Sequence, residues 1–352
     1  MEKIQLSEKK NNWIIGAALG AGALAALISL GKTRLSFDFK GKAVLITGGS
    51  RGLGLLMARE LLAEGARVAV CARNSEELKR AEVNLTNYGE QVFQTVCDVG
   101  NQAEVNQMIE AVRHRFGQID VLINNAGIIQ VGPLEVQTQK DFEDAMAIHF
   151  WGPFYTMQAV IPELKKRGEG RIVNISSIGG KMAIPHFAPY CASKFALVGL
   201  SNAMRIELAK DNIFVTTVCP GLMRTGSHVN ATFKGQNEKE YAWFSIGNAL
   251  PVSSISGERA ARQIINACRR GNAEAIISIQ AQLAITMNYL FPELIADISA
   301  LVNQILPDAG GIGKGYARGK DSASFISPSF LTALSDKESY ENNELKQGEQ
   351  LN

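Results

Sequence analysis

Thr47-Gly48-Gly49-Ser50-Arg51-Gly52-Leu53-Gly54 follows a short apolar run and opens a helix-length amphipathic segment. A glycine-rich strand-to-helix turn lets backbone come close to a pyrophosphate, and the N–H groups and dipole at the helix start favour its negative charge. The turn is a candidate dinucleotide seat, with Gly48, Ser50, Arg51, Gly52, Leu53 and Gly54 as contacts. Its Gly-x-x-x-Gly-x-Gly spacing differs from the G-x-G-x-x-G of general dinucleotide folds. The next apolar run ends in Val70-Cys71-Ala72-Arg73-Asn74. In such a fold an acid at that point binds the adenosine ribose, whereas an arginine accommodates a 2′-phosphate. Arg73 is present and the acid is absent, so Arg51 and Arg73 form a pair of guanidiniums able to grip that phosphate through charge-assisted bonds. The expected cofactor is NADP(H) in preference to NAD(H); the plainer reading is two solvated surface arginines.

Further along, Asn124-Asn125-Ala126-Gly127 ends a fourth apolar run and Ser176-Ser177 a fifth, and Tyr190 precedes Lys194 by four residues on an expected helix, which places both on one face. A Y-x-x-x-K or a serine pair alone carries little weight; this order on these elements carries more. With these motifs the chain, from about Phe39 to Ile279, resembles the short-chain dehydrogenase/reductase superfamily in its non-extended form. The resemblance implies that Tyr190 is the general acid in carbonyl reduction, or the base in alcohol oxidation. It implies that Ser177, thirteen residues before Tyr190, holds the substrate oxygen. Lys194 is expected to bind the nicotinamide ribose and, through its charge, to lower the tyrosine pKa from its reference of about 10. Asp98 and Val99 match the adenine contact, Asn125, Ala126 and Gly127 another cofactor-binding stretch, and Pro220-Gly221 with Thr225 the loop flanking the nicotinamide. One position departs from the family: His149 stands where an Asn usually supports a water linked to the lysine. The expectation is that its imidazole supports that water and adds a titration near its reference pKa of about 6.5.

These residues need a scaffold that delivers them to one edge. Apolar runs suited to strands occupy Ala43–Thr47, Arg67–Ala72, Gln91–Cys97, Val121–Asn124, Arg171–Ser176, Ile213–Cys219 and Ala275–Ile279. Helical segments lie near Leu53–Glu64, Ser75–Tyr88, Asn101–Phe116, Asp141–Lys165, Ala188–Leu208 and Gly257–Arg270. The alternation predicts an α/β fold, a doubly wound, Rossmann-like parallel sheet, and the nearly continuous apolar strands suit a sheet covered on both faces. The expected catalytic domain is 39–280. Apolar residues from Leu283 to Ile305 recur at helical spacing, which predicts a helical extension over 281–306, packed on the domain or a second copy, or touching a membrane surface. From Pro307 polar residues dominate, and 307–352 is expected to be a disordered tail.

The first 38 residues form a separate unit. Trp13 to Leu30 is an uncharged 18-residue stretch between Lys9 and Lys10 on one side and Lys32 and Arg34 on the other. At about 1.5 Å per residue it spans about 27 Å, near the thickness of a hydrocarbon core, so 13–30 is expected to be a transmembrane anchor. No small-x-small cleavage site marks it as a removable signal peptide. NADP(H) supply then places the catalytic domain on the cytoplasmic side.

The chain of 352 residues has a formal net charge of +2 with the charges interspersed, which argues against a nucleic-acid partner. Five cysteines, Cys71, Cys97, Cys191, Cys219 and Cys268, include no C-x-x-C pair and suggest neither a disulfide framework nor a metal site. Met223, Phe233, Tyr241, Trp243 and Phe244 fall in 222–256, where this family covers its substrate; they form a greasy pocket or ordinary packing. The function expected is a membrane-tethered NADP(H)-dependent oxidoreductase, single or as a homo-oligomer, acting on an apolar carbonyl or secondary alcohol. The alternative is a low-turnover nucleotide-binding membrane scaffold or redox sensor.

Overall fold

The computed structural model describes residue 22 and residues 36–325, 327–329, 332–346 and 348–349; the segment read as an anchor, 13–30, lies outside them apart from Gly22. Seven strands form one parallel sheet: β1 (Ala43–Thr47), β2 (Arg67–Ala72), β3 (Val92–Val96), β4 (Val121–Asn124), β5 (Gly170–Ile175), β6 (Ile213–Pro220) and β7 (Glu274–Ile277). Their spatial order is β7-β6-β5-β4-β1-β2-β3. β1 is central, its Ile46 opposite both Val70 of β2 and Ile123 of β4, and it is buried along its whole length. A strand inaccessible from both faces has no use for a polar side, which is why AVLIT carries no alternation.

Helices cover both faces. On one, α1 (Gly52–Ala63), α2 (Ser75–Leu85) and α8 (Gly257–Arg269) pack Leu55, Leu61, Leu78 and Ile264 against Val44, Ile46 and Val68. On the other, α3 (Gln102–Phe116), α5 (Gly152–Arg167) and α6 (Ala188–Leu208) press Met108, Met157, Leu164 and Leu208 against Leu45, Leu122 and Val215. From β1 the chain steps outward through β2 to β3 and then crosses back to β4 on the other side of β1, so the strand order reverses between β1 and β4, the point at which such sheets bind ligands at their carboxyl ends.

Three expectations need correction. The helix expected over Asp141–Lys165 is interrupted: α4 (Gln139–Met146) passes through a π turn, Ala147–Trp151, into α5. The extension expected over 281–306 is two helices, α9 (Ile279–Leu290) and α10 (Pro292–Ile305), bent by 117°. Phe291 between them has φ −135° and ψ 61°, in keeping with the restriction a following proline places on its neighbour. Among the described residues no single helix is long and apolar enough to cross a membrane.

The tail expected to be disordered is instead folded onto the domain. Ala317–Arg318 pairs antiparallel with Thr232–Phe233, and α11 (Ala333–Glu341) lies against α7 (Asn237–Ala249). Polar contacts hold it: the buried His228 imidazole meets Asp336 at 3.1 Å through Nε2 and Ser335 at 3.2 Å through Nδ1.

Candidate active site

The glycine turn, Arg73, Asp98–Val99, Asn125–Gly127, Ser177 and Pro220–Thr225 follow the carboxyl ends of β1, β2, β3, β4, β5 and β6 in turn, so the sheet brings the expected residues to one edge. The turn is clamped from β4. The Thr47 hydroxyl accepts from the Asn125 and Ala126 N–H groups at 3.0 and 3.1 Å. Asn125 Nδ2 donates to the Thr47 and Gly48 carbonyls at 3.1 and 3.0 Å. Gly48 has φ +65° and a Cβ there would stand 2.8 Å from the Ala126 Cα, so only glycine lets the two loops meet. Asn125 therefore acts by holding the turn in shape.

The turn fits a dinucleotide in that its glycines carry no side chains and it opens the α1 N-terminus, although the Gly52 N–H there is taken by the Asn342 carbonyl at 2.9 Å. Arg73 is exposed, 4.0 Å from Asp98 Oδ2, and free to turn toward a ligand. Arg51 is not free. Its Nε lies 3.2 Å from Glu77 Oε2, and its Nη1 is paired with Glu344 of the tail. Burial works against the guanidinium's charge, but Glu344 and Glu77 outweigh it and hold the group above its ordinary pKa. Ser50 Oγ donates to the same Glu77 carboxylate at 3.2 Å. Leu53 and Thr225 are buried, and Gly221 N–H donates to the Ile277 carbonyl at 3.2 Å, which fixes the loop after β6.

Tyr190 and Lys194 sit on the first turns of α6, opened by Pro189. Ser177 lies near enough to the phenol to favour its ionised form, and its Oγ accepts from Gly179 N–H at 3.0 Å. Lys194 Nζ donates to the Ile175 carbonyl at 2.9 Å and lies 5.6 Å from the centre of the Tyr190 ring. Burial dominates both groups. It pushes the phenol up to about 12, against the pull of Ser177, and brings the amine down to about 7. The expectation that Lys194 pulls the tyrosine below 10 is not met in this arrangement, because the amine is itself short of solvent. The phenol is a proton donor through neutral pH.

His149 has a different role from the one expected. Its Nε2 accepts from Ile128 N–H at 3.1 Å, and its Nδ1 is 2.8 Å from Ser193 Oγ, which in turn donates to the Tyr190 carbonyl at 2.8 Å. With Nε2 an acceptor and the serine proton already directed at Tyr190, Nδ1 carries the hydrogen. Both ring nitrogens are committed, leaving none for a relay water. Burial, then Lys194, push its pKa well below 6.5, so no titration near pH 6 to 7 is expected from it. The imidazole ties the loop after β4 to the base of α6.

Phe233, Tyr241 and Phe244 pack with Phe187 and Cys191 into a small core that also takes in Tyr190 and Ile184. They are packing residues that back Tyr190. A cavity of about 370 Å³ lies beside them, walled by Ala183, Ile184 and Pro185 and, from α10, by Pro292, Ile295 and Ala296. Hydropathy reading missed α10 as a wall. It also missed Asn342, Asn343 and Glu344, which meet the glycine turn from a polar segment with no periodic signal. All five cysteines are buried and unpaired.

A family model for short chain dehydrogenases matches residues 42–235, and the chain belongs to that family. A Drosophila melanogaster protein called dehydrogenase/reductase SDR family protein 7-like is 32% identical over 294 residues, 80% of this chain and 88% of that one. A short-chain dehydrogenase of known structure from Streptomyces avermitilis is 28% identical, with a TM-score of 0.63 over 75% of this chain and 98% of its own. Levodione reductase superposes with a TM-score of 0.60 at 26% identity, over 70% of this chain and 99% of its own. The chain is an oxidoreductase of the nicotinamide-using type.

Proposed function

We propose that the chain is an NADP(H)-dependent oxidoreductase that interconverts an apolar carbonyl and a secondary alcohol. The observation that carries this reading is the half-buried Tyr190, with Ser177 near its phenol and Lys194 Nζ 5.6 Å from its ring centre, at the sheet edge that carries the glycine turn. Bound nicotinamide would supply the hydride in reduction and take it in oxidation. In reduction the Tyr190 hydroxyl gives its proton to the substrate oxygen, which Ser177 holds in place; in oxidation the same oxygen takes the proton back. In this reading Lys194 binds the nicotinamide ribose. The exposed Arg73 after β2, with Arg51 in the glycine turn, supports NADP(H) over NAD(H), and the apolar walls of the cavity beside Ile184 support a lipophilic substrate. Residues 13–30 hold the enzyme at a membrane with the catalytic domain facing the cytoplasm.

The test is NADPH consumption by purified full-length protein with a panel of lipophilic ketones. NADPH should bind at least about tenfold more tightly than NADH, a difference of about 1.4 kcal/mol. Tyr190→Phe keeps the ring and deletes the donor, so turnover should fall on the order of 100-fold while nucleotide binding survives. Absence of turnover across the panel would favour the scaffold or sensor reading, and near-normal turnover in the variant would remove Tyr190 from the mechanism.

A further inference from the structure

The turn after α11, at 342–344, is built onto the glycine turn. Asn342 presents its carbonyl to Gly52 N–H at 2.9 Å, at the very start of α1. Asn343, in the left-handed region at φ +61°, donates from Nδ2 to the Ser50 carbonyl at 2.7 Å and to the Glu77 carbonyl at 3.0 Å, and its Oδ1 accepts from Arg80 Nε at 2.9 Å. Glu344 pairs with Arg51 and also accepts through Oε2 from Asn230 Nδ2 at 2.7 Å. Its other oxygen comes so close to the turn that a Cβ on Gly52 would lie 2.5 Å from it. The carboxylate is nearly inaccessible, with 3% of its side chain exposed.

The tail thus occupies two of the features that suit the turn to a phosphate, a backbone N–H at the helix start and the Arg51 guanidinium. With Glu77 on the other side, two carboxylates face one arginine, so an arriving phosphate meets an excess of negative charge rather than an open cation.

Resting on the reading of this turn as the dinucleotide seat, we propose that Glu344 is a built-in competitor for a phosphate of the cofactor, and that this carboxylate must leave Arg51 before the phosphate binds there. Asn343 bonds mainly to backbone and anchors the strap; Glu344 is the part that exchanges. If the tail is closed in nine molecules of ten, the apparent affinity of the nucleotide is reduced about tenfold. The phosphate is either the pyrophosphate, common to both nicotinamide dinucleotides, or the 2′-phosphate of NADP(H).

Titration calorimetry of full-length wild type and Glu344→Gln with NADH and with NADPH separates these sources. A gain of about tenfold for NADPH alone identifies the 2′-phosphate, and a similar gain for both nucleotides identifies the pyrophosphate. Unchanged or weaker binding of both overturns the proposal, since a carboxylate that helped hold the nucleotide would be missed when neutralised. Hydrogen exchange on the wild type gives a second measurement that needs no variant: amides of 339–345 should lose protection when nucleotide is added, and unchanged or increased protection overturns the displacement. The NADP(H) reading fails separately, if Arg51→Ala with Arg73→Ala leaves the ratio of NADPH to NADH affinity unaltered.

Discussion

At Lys194 the protein holds an amine where water scarcely reaches it. The pKa falls from 10.5 to about 7 because burial disfavours the ammonium form. Below about pH 7 the amine is charged in folded and unfolded chains alike and the burial penalty is felt in full. Between about 7 and 10.5 the folded protein has released a proton that the unfolded chain retains, so stability rises with pH across that window. In the ligand-free enzyme, denaturation midpoints should therefore climb from pH 7 to pH 9, by the equivalent of about 1 kcal/mol or more, and the climb should vanish in Lys194→Met. An identical slope in both proteins would mean that the amine is better solvated than its surroundings indicate. His149 leads to a different expectation. His149→Leu leaves Ile128 N–H and Ser193 Oγ without their partner and should cost about 1–3 kcal/mol, read by urea unfolding. The pH profile of kcat should show no limb near pH 6 to 7 that disappears in His149→Asn.

Among the elements, those whose burial follows hydropathy were legible and those held by polar contacts were not. β1 and β4 stood out as unbroken apolar runs because helices cover both of their faces. Tyr190 and Lys194 were legible because four residues on a helix is one turn. The π turn at Ala147–Trp151 was not, since a slip in backbone register leaves the side-chain period almost unchanged. The tail was missed because serine, asparagine and glutamate side chains dock it, and such contacts carry no periodicity. Its helix α11 rests on Gly226, which has φ +84° and no room for a Cβ beside the Ser339 backbone. Gly226→Ala should lift α11 from its seat. The expected result is faster proteolytic cutting near 333–341 with the melting of the sheet domain little changed; a cutting rate equal to wild type would show that the helix tolerates the methyl group.

For the whole molecule, the apolar surfaces lie together in sequence and face outward. Leu283, Leu290, Leu294, Leu301 and Ile305 of α9 and α10 are all exposed. If residues 13–30 hold the chain at a bilayer, full-length protein should stay in the pellet after carbonate extraction, and a chain starting at Lys32 should be released into the supernatant by carbonate and still bind NADPH. Full-length protein in the supernatant would defeat the anchor. A chain starting at Lys32 that floats with lipid vesicles before carbonate is added would point to α9 and α10 as a second contact.

The pairing of Arg51 with Glu344 joins residues 293 positions apart, so the turn is made well before the residue that closes on it. At about 5–20 residues per second, that separation takes on the order of tens of seconds to translate. During that interval β1, α1 and β2 have emerged while the residue that closes on their turn does not yet exist. A nascent chain able to shape its first strands would meet nucleotide with Arg51 held by Glu77 alone, and a ribosome-held intermediate ending before Glu344 would load cofactor more readily than the released protein.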